Sequence, residues 1–347
     1  MVGGQSPQSA ATEREWCHET VQDVSRTFAL TVDALEEPMA SRICVGYLLC
    51  RVADTIEDST SMSPARQASL LRTYDRVLAL DDDTTVEMFR EDVADVLPEE
   101  LDADWTVVAE APRVVRAFES LDTDAQDAIR PTVREMTTGM AGFVERYADE
   151  GGLRIQTLSE LEEYCWYVAG TVGELVTELL ADDAAPDDAE TMREHARSFA
   201  LLLQLVNVAK DVQPDYYEEN NVYLPAEWLA EQELDPEDVA EPANAGRVGM
   251  VVQRVTERAR GYADGAHRWL EAMPTTRGNT LAAWSVPFLL AVGTMRELSE
   301  RPADVVVDGD VKVSRAEVYA VLERVHGDFD RAALATLRET IENRPLA

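Results

Sequence analysis

Apolar residues recur every three or four positions along almost the whole 347-residue chain: 13–33, 38–57, 64–80, 105–146, 158–181, 189–213, 247–272, 279–299 and 314–343. That period places the apolar side chains on one helix face, so it predicts helices over these stretches. Polar breaks rich in Asp, Gly, Ala and Pro at 81–85, 149–152, 184–188 and 235–245 predict the loops between them. Strand-like alternation is nearly absent. One exception, 304–313, predicts a small hairpin turning at Asp308-Gly309. Neither a repeat of 20–50 residues nor a Pro/Gly/Ser linker divides the chain. A single all-α domain over 13–347 is therefore expected, behind a disordered N-terminal stretch of residues 1–12. The uncharged run 278–295 contains Asn279, Thr280, Ser285, Pro287 and Thr294, and reads as a buried helix rather than a membrane span.

Two of these helical stretches end in carboxylates three or four residues apart. They are Tyr47-Leu-Leu-Cys-Arg51-Val-Ala-Asp54-Thr-Ile-Glu57-Asp58 and Gln204-Leu-Val-Asn207-Val-Ala-Lys210-Asp211-Val-Gln-Pro214-Asp215. Such spacing stacks side chains on one helix face. With 67 acidic residues in 347, pairs at i, i+4 arise by chance roughly a dozen times, so spacing alone carries little weight. Elsewhere the acids sit in polar stretches and read as solvated surface. These two rows instead follow apolar runs, where like charges repel and uncompensated burial is costly. They need a cation.

The net charge of 31 − 67 = −36 and pI near 4.3 exclude nucleic acid as a plausible partner. Only two of the 31 basic residues are lysine, Lys210 and Lys312. Acid excess with almost no lysine is the composition expected of a halophile's salt-rich cytosol, where ionic strength screens self-repulsion. Lys210 lies inside the second acidic segment, which singles it out. The four cysteines and four histidines show no zinc-ligand spacing. The N-terminus lacks the basic and apolar regions of a signal peptide, so a cytoplasmic protein is expected.

Mg²⁺ prefers hard oxygen ligands and is commonly held by one or two carboxylates plus substrate phosphates. Asp54 and Asp58 from one helix, with Asp211 and Asp215 from another, meet that requirement. Metal-bound diphosphate is a good leaving group, and an allylic chain departing from it leaves as a carbocation. That cation requires a dry apolar wall with aromatic faces, for which Phe28, Tyr47, Tyr164 and Tyr167 are the candidates. Arg26 and Arg51 can grip diphosphate as planar forks. Gln204 and Asn207 extend the second polar row by a turn. Each residue also has a plainer reading. Arg51 can pair with Asp54 or Glu57 on its own helix, Tyr164 and Tyr167 can be core, and Asn207 can be solvated.

Taken together, the motifs resemble those of the squalene and phytoene synthase family. Ser25-Arg26-Thr27-Phe28 is similar to its entry motif. The segments 47–58 and 204–215 are similar to its two aspartate-rich motifs, the second completed by Val222-Tyr223-Leu224-Pro225. Tyr164-Cys-Trp-Tyr-Val-Ala-Gly170-Thr-Val-Gly173 and Val311-Lys312-Val313-Ser314-Arg315 resemble squalene-branch segments, the latter one that helps hold the NADPH phosphate. The resemblance spans residues 20–325. It implies an isoprenoid-synthase-type helical bundle around a central apolar cavity. Such an enzyme joins two farnesyl diphosphates head to head through presqualene diphosphate, then reduces the product with NADPH. By the same resemblance Asp54, Glu57, Asp58, Asp211 and Asp215 would carry Mg²⁺ and diphosphate. Tyr164 would act as acid/base in the first half-reaction and Phe28 would shield the cation. Arg26, Arg51, Lys210, Lys312 and Arg315 would contact diphosphate or cofactor. A product this apolar must leave into lipid, which adds peripheral membrane contact to the expectations.

Four departures stand against the family pattern. Pro214 interrupts the second motif, where its missing N–H ends or kinks a helix. Ser314 replaces a basic residue of the cofactor segment, Asn221 replaces an Arg, and Ala283-Trp284 replaces an aromatic-Cys pair. Other readings are a phytoene or dehydrosqualene synthase without the reduction, a non-catalytic relative acting as an assembly factor, and a halophilic helical scaffold.

Overall fold

The computed structural model describes residues 7–274, 279–309, 311–326 and 329–346, without the side chains of 7–10, 26 and 27. Every stretch of helical period forms helix, but side-chain caps cut the longer ones. The stretch 13–33 becomes Pro7–Val24 and Arg26–Ala34. Ser25 between them is extended and its hydroxyl accepts from the Phe28 N–H at 3.3 Å. The first of these helices begins inside the stretch expected to be disordered, and residues 1–6 lie outside the described residues. The stretch 105–146 becomes Ala103–Ala109, Ala111–Glu119 and Thr123–Arg146, the last capped by Asp122. Asp330 likewise starts Arg331–Asn343.

The expected hairpin at 304–313 is not formed. Its valine run makes one helical turn, Asp304–Val307, with Val305 and Val306 buried. β-branched residues favour strands only where a partner strand can pack beside them, and here the neighbours are helices. The turn at Gly309 is real: it lies at φ +69°, and a Cβ there would come within 2.4 Å of the Gln213 side-chain oxygen. Asp310 lies outside the described residues. Among the described residues, β pairing is limited to an isolated bridge between Arg154 and Val222.

The helices pack into one all-α bundle with a continuous apolar core. At its centre, Met39–Glu57 buries 15 of its 19 residues. The four that keep some exposure include Tyr47, Arg51 and Asp54, which with the C-capping Asp58 form a single stripe. On Pro186–Lys210 a second partly open stripe runs through Gln204, Asn207 and on to Asp211. Both stripes carry the residues singled out by chemistry. The uncharged run forms the buried helix Thr280–Glu300, with Pro287 inside it. No helix among the described residues is long and apolar enough to cross a membrane.

Candidate active site

The first acidic row is held in place at its helix end. Helix Met39–Glu57 stops at Asp58. The buried Gln67 side chain donates to the carbonyls of Ile56 (3.2 Å), Glu57 (2.6 Å) and Ser59 (2.9 Å), which the helix end leaves without partners. Arg51 donates to the Tyr47 hydroxyl at 2.9 Å and pairs with Asp104 at 3.5 Å. It thus meets carboxylates from two helices, Asp104 on Ala103–Ala109 by direct contact and Asp54 on its own helix through their charges. Tyr47 stacks on Phe28 with ring centroids 3.9 Å apart, and Trp284 meets Phe28 edge-on at 6.3 Å. This aromatic wall stands beside Arg51.

The second row is split by Pro214. Without an N–H at 214 the Lys210 carbonyl has no helical donor, and Pro186–Lys210 ends there. Asp211 occupies the junction, ion-paired with Lys210, and a new helix, Val212–Glu218, carries Asp215. The break is followed by a loop that returns to the site. The Asn221 N–H donates to the Asp215 carbonyl at 2.9 Å, and Val222 pairs with Leu153 and Ile155. Asn220 sits at φ 57°, and Gly152 admits its carbonyl, for a Cβ on Gly152 would lie 2.0 Å from that oxygen.

Glu219 is where the two rows meet. It lines one cleft of about 320 Å³ with Arg51, Asp58 and Asp104, and a second of about 170 Å³ with Glu57, Tyr147 and Asn221. Between the rows runs a chain of hydrogen bonds. The Tyr164 hydroxyl donates to Glu57 at 3.3 Å and lies 3.1 Å from the Tyr223 hydroxyl. The Asn221 amide donates to Tyr223 at 3.0 Å and to Glu219 at 3.3 Å. Burial and neighbouring carboxylates raise the whole cluster. Glu57 is pushed up to about 8 by burial, then by Asp54 and Glu219. Asp215 rises to about 9 by burial with Glu219 and Asp211, and Asp54 to about 6 by burial, held back by Arg51. Asp58 and Glu219 are raised in the same way.

Among the residues expected from sequence, Asp54, Glu57, Asp58, Asp215 and Tyr164 are thus brought together, with Asp211 one helical junction away. Phe28, Tyr47 and Arg51 form the adjoining wall. Gln204 is half-buried and Asn207 exposed on the stripe that leads to Asp211. Tyr167 is not brought to the acids. Its ring packs on Gly139 and against Phe143, and lines an outer cleft with Asp75, Arg134 and Glu163. The chain turns π-helical over Trp166–Gly170, and Tyr164 and Tyr167 share the Phe143 ring while only Tyr164 reaches Glu57. Lys312 and Arg315 line a separate cleft of about 440 Å³ with Glu297, Arg301, Glu317 and Pro345. The Arg26 side chain lies outside the described residues. Sequence reasoning missed Glu219, Asp104 and Gln67. Glu219 follows Asp215 at the same interval of four and was legible as a third member of that row; the other two have no local signal.

Among the described residues, no three His, Cys, Asp or Glu side chains form a ready-made metal cluster. The donors nonetheless fit Mg²⁺, being hard carboxylate oxygens, one of which, Glu57 Oε1, is buried without a hydrogen-bond partner. Asp54, Asp58, Asp211 and Asp215, backed by Glu57 and Glu219, are the residues that can hold such a cation together with phosphate oxygens.

The site is thus two carboxylate rows beside an aromatic wall in an all-α bundle. The chain matches the squalene/phytoene synthase family over residues 21–317, and it belongs to that family. It is 24% identical to squalene synthase of Schizosaccharomyces pombe over 307 residues, covering 88% of this chain and 64% of that protein. To presqualene diphosphate synthase of Botryococcus braunii it is 29% identical over 239 residues, covering 67% and 53%. The chain therefore spans under two thirds of the length of these curated relatives. A ligand complex of TcSQS shares the fold, with a TM-score of 0.79 at 21% identity over 95% of this chain and 90% of that one.

Proposed function

We propose that this protein is a squalene synthase, joining two farnesyl diphosphates through presqualene diphosphate and reducing the product with NADPH. The observation that carries this reading is the meeting of two carboxylate rows at Glu219, beside the Phe28–Tyr47–Trp284 wall. Mg²⁺ held by the rows would neutralise the charge that builds on diphosphate as the C–O bond breaks. Arg51, already preoriented by Tyr47 and Asp104, binds the same diphosphate oxygens. Phe28 and Trp284 exclude water from the allylic cation and face it with π density. Tyr164, buried between Glu57 and Tyr223, takes the proton lost as the cyclopropane closes while its own hydroxyl proton passes to the Glu57 carboxylate it already faces. Lys312 and Arg315, which line one cleft, would hold the phosphate of NADPH, and that cofactor would supply the hydride.

A second reading, a dehydrosqualene or phytoene synthase, is favoured by one observation. Ser314, in the cofactor segment, serves as the N-cap of Arg315–Val325, accepting from the Glu317 N–H at 3.2 Å. The position thus has a structural task independent of any cofactor. The two readings separate in one incubation: purified protein in molar KCl with Mg²⁺ and farnesyl diphosphate, with and without NADPH, and the lipid extract read by mass. Squalene only with NADPH supports the first reading. Dehydrosqualene in both tubes, or product only from geranylgeranyl diphosphate, selects the second. No product from either substrate returns the chain to the assembly-factor reading.

A further inference from the structure

The hydrogen-bond chain between the acidic rows has a direction, and one amide sets it. A tyrosine hydroxyl carries a single proton, so each oxygen in the chain donates once and accepts the rest. An asparagine side chain can present either its oxygen or its NH₂, and its neighbours decide which. The Leu153 N–H donates to Asn221 Oδ1 at 2.8 Å, from a backbone already fixed by the Arg154–Val222 bridge. With the oxygen claimed, the NH₂ faces the Tyr223 hydroxyl and Glu219, one hydrogen for each acceptor. Since Tyr223 receives a hydrogen from Asn221, its own proton goes to the oxygen of Tyr164. The Tyr164 proton is then directed at Glu57. Stacking of the two rings, with centroids 4.9 Å apart, holds the hydroxyls in register, and all four side chains from Glu57 to Asn221 are buried.

We propose that Tyr223 is a positioning residue that, under the direction of Asn221, fixes the orientation of the Tyr164 hydroxyl. One oxygen lone pair of Tyr164 is occupied by Tyr223 and its proton by Glu57. One lone pair remains for the reacting side. This inference rests on the reading that Tyr164 exchanges a proton in the first half-reaction, and it adds two residues to which no role had been assigned.

Tyr223→Phe keeps the stacked ring and deletes one hydroxyl, so it tests the orientation without emptying the core. The first half-reaction is followed as diphosphate release from farnesyl diphosphate without NADPH. The expected result is a kcat lower by about ten- to hundredfold, the range for losing a hydrogen bond to a group that changes charge. KM and melting temperature should stay close to those of the parent. A second readout needs no substrate: in protein labelled with [4-¹³C]tyrosine, the Tyr164 resonance, assigned by its loss in Tyr164→Phe, should shift in both Tyr223→Phe and Asn221→Leu. Parental kcat in Tyr223→Phe, or a Tyr164 resonance unmoved in both variants, would overturn the proposal. Tyr164→Phe separates the two levels of argument. If it turns over normally, the acid/base reading itself fails; if it is dead while Tyr223→Phe is fully active, only the positioning role fails.

Discussion

Mg²⁺ binding should expel protons from this protein, and the number follows from the acidic cluster. Glu57 at about 8 and Asp215 at about 9 both hold their protons at pH 7, whereas Asp54 at about 6 has largely lost its own. Asp58 is raised well above its ordinary value by the same burial; a cation drawn to the cluster displaces protons from carboxylates that must ionise to bind it, so at least about two protons should leave per site filled at pH 7. The apparent Mg²⁺ affinity should then rise at least about a hundredfold per pH unit near neutrality, with the Glu57 and Asp215 contributions fading as pH passes about 8 and about 9. The folded-state values lie above the unfolded ones. The metal-free protein therefore loses stability as pH climbs from about 4 towards 9, and Mg²⁺ should restore the melting temperature most at the alkaline end. Titration calorimetry with MgCl₂ in buffers of different ionisation enthalpy counts the protons directly, in molar KCl so that diffuse surface charge contributes little. Glu57→Gln and Asp215→Asn should each remove about one proton from the count. A heat that does not depend on the buffer, or a count unchanged in both variants, would refute the idea that these acids are protonated reserves of the metal site.

Three further outcomes follow from particular contacts. Asp104→Asn frees Arg51 from its partner 3.5 Å away, and should tighten inorganic diphosphate binding severalfold at low salt but little in molar KCl; equal effects at both salts would show that Arg51 is not the cause. Arg296→Met strands Glu317, only 2% exposed, and should cost about 3–5 kcal/mol in denaturant unfolding, whereas Arg296→Met with Glu317→Leu should recover most of it. Gly152→Ala drives a methyl to 2.0 Å from the Asn220 carbonyl, and should cost about 1–3 kcal/mol and slow turnover by displacing the Asn221 loop; parental stability would mean that the loop gives way freely.

The legible part of this site was local. Carboxylates at helical spacing after apolar runs are a property of a dozen consecutive residues, and Pro214 announces its helix break from its own chemistry. What stayed hidden depended on distant partners. Asn221 looked like the loss of an arginine, because its value comes from Leu153, 68 residues away in sequence. Tyr164 and Tyr167 are both aromatic candidates by residue type, and nothing in the local sequence tells that only Tyr164 reaches Glu57. The three valines at 305–307 suggested a strand because intrinsic preference says nothing about whether a second strand is available to pair. Asp104 lies in a strongly acidic stretch, Glu99 to Asp104, where nothing distinguishes a side chain that turns inward to Arg51 from those facing solvent.

The departures from the family pattern bear on whether the site is in use. Decay of an abandoned site would leave acids without neighbours suited to them, since nothing would maintain a costly buried cluster. Here the substitutes carry specific structural tasks. Pro214 ends one helix so that Asp215 is carried on the next, Asn221 ties Glu219 and Tyr223 to the 153–155 segment, and Trp284 meets Phe28 edge-on. Ser314 caps the helix whose Glu317 accepts the buried Arg296. Five carboxylates are held at raised pKa values, so ionising them is costly in the metal-free protein, and a bound cation would lower that cost. A fold that keeps so costly a buried cluster, with hydrogen bonds rebuilt around it, is what the proposed metal–diphosphate site requires.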